Sequence, residues 1–209
     1  MTRLPDATPI VHSIMAAGVD LARRGQVPAT SGNFSARVDD RYIAITASGV
    51  DKGALGEDDV LLFDLAADAV AGKGRASAET PLHTSLYRRD PAIGAVLHTH
   101  SRNATLMSMM IGDGDTVVLT NYELLKAFRG FDTHTAIARV PIFANDQDMA
   151  QLSALVETRL DSTADDVIGY LLAGHGLYTW GVDMTEARRH IEAMEFILDC
   201  ELERMRLRR

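Results

Sequence analysis

The stretch Ile93-Gly94-Ala95-Val96-Leu97-His98-Thr99-His100 decides the reading of the fold. A short run of small and apolar residues suits a strand buried on both faces, which delivers polar groups only at its tip. Residues two apart on a strand share a face, so His98 and His100 present both imidazoles to one point while Thr99 faces away.

Working outward, residues 79–89 read as a helix before this strand and residues 101–110 as a helix after it, capped by Ser101. Toward the N-terminus, Ile10, Val11, Ile14, Met15, Gly18, Leu21 and Ala22 repeat with helical period, Pro9 suits the first helical position and Gly25 the stop. Thr30-Ser31-Gly32-Asn33-Phe34-Ser35 reads as a turn, too rich in small polar residues for a packed element. Residues 42–46 read as a strand ended by the turn Ala47-Ser48-Gly49, 60–63 as another strand, and 66–75 as a surface hairpin or loop.

Toward the C-terminus, residues 121–128 suggest a short helix, 137–143 a strand, and 148–160 a helix with Leu152, Leu155 and Val156 inward. Two strands, 167–172 and 177–180, flank Gly174-His175-Gly176. A last helix starts at Asp183, with Glu186 completing a capping box and a stripe of Ala187, Ile191, Met194, Leu198, Leu202 and Met205. This irregular alternation predicts an α/β fold, a mixed sheet with helices on both faces, in one domain over 1–209. No repeated strand-helix unit supports a regular barrel.

The chain has 209 residues, 46% of them hydrophobic and 24% charged, enough to bury a core. A net charge of −8 opposes a nucleic-acid surface, so any phosphate site must be local. The single cysteine, Cys200, and a start, Met1-Thr2-Arg3-Leu4-Pro5-Asp6, without a signal-peptide core predict a cytoplasmic protein. No apolar run approaches the roughly 18 residues of a membrane span.

Between two glycines, His175 can approach a crowded site and join His98 and His100. Three neutral imidazoles suit Zn2+ and leave a coordination position open for water or substrate. Taken alone, His98 and His100 are equally well read as strand histidines bonded to backbone, and His175 as a turn residue. His12, His83, His134 and His190 have no neighbouring ligand at strand spacing and read as surface or packing residues. Glu79 and His83 share a helix face, which puts either near the metal, and Glu79 is favoured.

The turns at 30–33 and Ser48-Gly49, with Ser77, can gather hydroxyls and N–H groups around a phosphate, and Lys52 adds charge. Each turn alone reads equally as ordinary turn chemistry. Glu123 reads as a helix N-terminal charge, and Tyr178 and Trp180 as core or subunit-contact aromatics.

Taken in order, Ser31-Gly32-Asn33-Phe34-Ser35, Ile45-Thr46-Ala47-Ser48-Gly49, Ser77-Ala78-Glu79, His98-Thr99-His100 and Gly174-His175-Gly176 resemble the class II aldolase superfamily. Asp51-Lys52-Gly53, residues 121–126, Asn145-Asp146-Gln147-Asp148 and the segment 175–181 look like its dehydratase branch. The resemblance implies a three-layer α/β/α sandwich around a mixed, largely antiparallel sheet, a homotetramer with sites near subunit contacts, and a sugar phosphate substrate. It implies one zinc per subunit on His98, His100 and His175, phosphate contacts at Asn33, Ser48, Gly49 and Ser77, and acid-base work at Glu123. Some dehydratases carry a cysteine where this chain has Glu79, whereas the aldolases use a glutamate there, which leaves the division of labour between Glu79 and Glu123 open. The expected activity is removal of water from a ketose 1-phosphate. Aldol cleavage or epimerisation of another ketose phosphate is the nearest alternative, and a non-catalytic binding or assembly module a more distant one.

Overall fold

The computed structural model describes residues 4–163 and 167–208; Met1 to Arg3, half of the start read above, lie outside the described residues. Its strands are β1 (Asn33–Arg37), β2 (Tyr42–Thr46), β3 (Val60–Asp64), β4 (Ala69–Val70), β5 (Ala95–Thr99), β6 (Thr116–Leu119), β7 (Ala138–Phe143), β8 (Tyr170–Leu172) and β9 (Gly176–Gly181). They form one sheet in the order β4-β3-β2-β1-β5-β9-β8-β7-β6. Every neighbouring pair is antiparallel except β7 and β8.

Alternation along β5 shows how the sheet is covered. Ala95 and Leu97 join a core with Ile14 and Leu21 of α1 (Thr8–Arg23), Ala104 and Met107 of α3 (Arg102–Ile111), and Ile191 and Leu198 of α5 (Met184–Leu207). Val96 joins a second core with Leu82 and Leu86 of α2 (Thr80–Arg89) and Leu152 and Val156 of α4 (Met149–Asp161). Side chains of period two feed two cores from one strand, which makes three layers. The two N-caps read from the sequence, Ser101 and Asp183, accept from backbone N–H groups of α3 and α5, and Asp148, read as the first residue of a helix, caps α4 in the same way.

Four local expectations fail. Asn33-Phe34-Ser35, read as a turn, begins β1, which pairs with the central strand β5: Phe34 is buried in one core, and the polar Asn33 and Ser35 both reach the buried His83 on the opposite face. An unpredicted strand, β6, pairs only with β7 at the sheet edge, and Val118 on it is exposed. Residues 123–127 form a 3-10 turn, and Leu155 points to solvent at 53% exposure because the α4 stripe is carried by Leu152, Val156 and Leu160. Among the described residues, no helix is long and apolar enough to cross a membrane.

Candidate metal centre and anion cleft

His98 lies on β5, which is buried along its whole length, and is itself fully buried, and His100 follows just past the strand. The loop between β8 and β9 brings His175 to them, and its two glycines serve different needs. Gly174 takes φ +65, which favours glycine, while a side chain on Gly176 would begin 2.0 Å from the Thr99 carbonyl oxygen. The ring nitrogens converge: Nε2 of His98 stands 2.9 Å from that of His100 and 3.3 Å from that of His175, and the latter two are 3.0 Å apart.

Second nitrogens set the polarity. His98 Nδ1 faces the Leu177 carbonyl at 3.1 Å, so Nδ1 carries the proton and donates, leaving Nε2 as a bare lone pair. His175 Nδ1 faces Asn145 Oδ1 at 3.0 Å, which gives the same polarity. Burial, foremost, pushes His98 well below the usual histidine range and His100 down to about 4, so these rings are neutral at pH 7.

Glu79, just ahead of α2, closes the group, with Oε1 3.1 Å from His175 Nε2 and Oε2 3.6 Å from His98 Nε2. Burial works to raise its carboxyl, while the Asn33 amide, donating to Oε2, favours the ionised form. One ligand atom from each of Glu79, His98, His100 and His175 lies within 4.8 Å of the others. Lone pairs and a carboxylate crowded together with no proton to share repel one another, and a divalent cation among them removes that repulsion. The donor set therefore fits a metal ion.

Beside this group opens a cleft of about 200 Å³ lined by Thr30, Ser31, Gly32, Asn33, Ser48, Gly49, Lys52, Ser77, Glu79, His100 and His175. Every residue singled out for phosphate lines it. Asn33 Nδ2 donates to Glu79 Oε2 at 2.5 Å and to Ser77 Oγ at 3.3 Å. Lys52, expected to add charge there, is 1% exposed, and its ammonium donates to the carbonyls of Thr30 (2.9 Å) and Val50 (2.7 Å). Burial lowers its pKa, and it ties together the two turns that form the cleft wall.

Glu123 is not in this group and does not line the cleft. It begins the 3-10 turn after β6, its side chain is 73% exposed, and Lys126, bonded to it at 2.6 Å, lowers its pKa. His83, kept open beside Glu79 in the sequence reading, is outside the metal group and fully buried directly behind Asn33. Its helical spacing from Glu79 was the one available signal.

A sequence profile of the Class II Aldolase and Adducin N-terminal domain matches residues 12–202. The chain belongs to this class II aldolase family. Within it, a methylthioribulose-1-phosphate dehydratase of Xanthomonas oryzae pv. oryzae is 52% identical over 95% of this chain and 88% of its own length. Another protein of that name, from Stenotrophomonas maltophilia, is 55% identical over 90% and 87%. In structure, the class II aldolase fold is shared with the L-fuculose-1-phosphate aldolase of Thermus thermophilus, at a TM-score of 0.74 and 24% identity over 96% of this chain and 97% of that one.

Proposed function

We propose that this chain is a lyase that removes water from 5-methylthioribulose 1-phosphate to give 5-methylthio-2,3-diketopentyl phosphate, a step of methionine salvage in the cytoplasm. The observation that carries this reading is the convergence of three imidazoles and Glu79 at one wall of a polar cleft, in a chain half identical to dehydratases of that name. His98, His100 and His175 would hold Zn2+: ligands about 2.05 Å from a tetrahedral zinc stand about 3.3 Å apart, close to the nitrogen spacings here. When bound, the ion polarises a substrate carbonyl and makes the neighbouring C–H acidic.

The chain's own groups do the rest. Asn33, Ser48, Gly49 and Ser77 bind the phosphate through N–H and hydroxyl groups, with the buried Lys52 charge behind them. Ionised Glu79 takes the proton from C3, its carboxylate kept ionised and oriented by the Asn33 amide. Departure of the C4 hydroxyl needs a proton donor, and we assign it to Glu123. An exposed carboxyl paired with Lys126 is ionised, so this role belongs to a homotetramer in which Glu123 of one copy enters the drier site of its neighbour, where burial raises a carboxyl.

The deciding experiment incubates the zinc-loaded protein with 5-methylthioribulose 1-phosphate and assays for diketone and aldehyde. Diketone formation is expected; an aldehyde product instead would make the chain an aldolase.

A further inference from the structure

Behind the Asn33 amide runs a chain of hydrogen bonds whose further members, His83, Ser35 and Tyr87, the reaction just described does not use. Asn33 Oδ1 faces His83 Nε2, His83 Nδ1 lies 2.7 Å from Ser35 Oγ, and Ser35 Oγ lies 2.9 Å from the Tyr87 hydroxyl. Asn33, Ser35, His83 and Tyr87 are all buried, with exposures of 3% or less. No water competes for their protons, so each link has a single direction.

That direction follows from one end. At that end the Asn33 amide nitrogen donates to Glu79 Oε2 and to Ser77 Oγ, so its carbonyl oxygen is the atom turned toward His83. His83 must then carry its proton on Nε2, leaving Nδ1 to accept from the Ser35 hydroxyl, whose oxygen accepts from Tyr87. Burial keeps the His83 ring neutral, its pKa pushed down to about 4. The opposite tautomer would reverse every link and aim the Asn33 carbonyl at the Glu79 carboxylate.

We propose that His83 is a positioning residue: through its Nε2–H bond to Asn33 Oδ1, supported by Ser35 and Tyr87, it locks the Asn33 amide so that the NH2 faces Glu79 and the anion cleft. This rests on the reading of Glu79 as the base, and it explains why a strand as polar as β1 lies in the middle of the sheet. Asn33 and Ser35 are the two links that β1 contributes to the chain, and α2 contributes Glu79's neighbour His83 and Tyr87.

The test combines spectroscopy and kinetics on the zinc-loaded protein. Nitrogen-15 NMR of the imidazoles is expected to show His83 neutral, protonated at Nε2 and bare at Nδ1; an Nδ1–H tautomer or an imidazolium overturns the proposal. His83→Leu should keep its zinc and lower kcat/KM by about 10- to 100-fold, the usual weight of a residue that orients a ligand or base from behind. In His83→Gln the amide nitrogen again reaches Asn33 Oδ1, and most of the activity should return. Full activity in His83→Leu, or equal losses in both variants, overturns the proposal. Should His83→Leu not fold, Ser35→Ala removes the donor to Nδ1 and is expected to redistribute the His83 tautomer; an unchanged pure Nε2–H state counts against the role of Ser35. A fully active Glu79→Gln with the expected tautomer would instead sink the base assignment and leave the hydrogen-bond chain standing.

Discussion

Two glutamates near the end of β5, both largely withdrawn from solvent, behave oppositely. Glu79, beside the His98 and His175 rings, accepts from the Asn33 amide, which favours its ionised form. Glu195 on α5, 8% exposed, meets Ser101 and Asn103 and feels the like charge of Asp199; burial, foremost, raises it to about 7, and among the described residues its Oε1 has no partner. Burial penalises charge in both places, and the partners decide whether the penalty stands. A glutamate kept ionised inside a protein is set apart by its neighbours, which is why Glu79 is the one assigned to proton abstraction.

The largest effect expected from this contrast comes from removing a neighbour. His98→Ala or His175→Ala should abolish metal binding and, with it, turnover; an active, metal-free variant would break the account of the cluster. Glu79→Gln should retain metal and lose about 100- to 10,000-fold in kcat, the range for a general base. Glu123→Gln should also retain metal and lose turnover, and mixing it with Glu79→Gln subunits sharpens the assignment. If the two act from different copies, randomly reassembled mixtures regain on the order of a quarter of wild-type activity. No recovery in mixed tetramers would place both groups in one copy.

Glu195 gives the smallest effect. Its folded pKa lies above its unfolded value near 4.5, so stability is full below that pH, falls as pH rises to about 7, and then levels. The loss is roughly 3 kcal/mol, seen as a falling melting temperature between pH 5 and 7 that Glu195→Gln should lack. An identical pH profile in that variant would show that the group does not titrate in this window.

Much of this was legible along the chain. Strand period two puts His98 and His100 on one side, paired glycines permit His175, and the caps at Ser101, Asp148 and Asp183 mark where α3, α4 and α5 begin, because each of these signals is local chemistry between residues near in sequence. The strand β1 was not legible, since nothing within residues 33–37 reveals that partners on α2 satisfy Asn33 and Ser35. Nor was the burial of Lys52, which depends on two turns folding over its ammonium.

Sequence alone determined the donor types, the order of the polar turns and the two faces of the central strand. Only the tertiary structure decided which of seven histidines meet, which glutamate stays ionised in the interior, and which way the buried hydrogen bonds run. Those properties arise from groups dozens of residues apart excluding water together, and exclusion of water belongs to the folded assembly of elements rather than to any one of them.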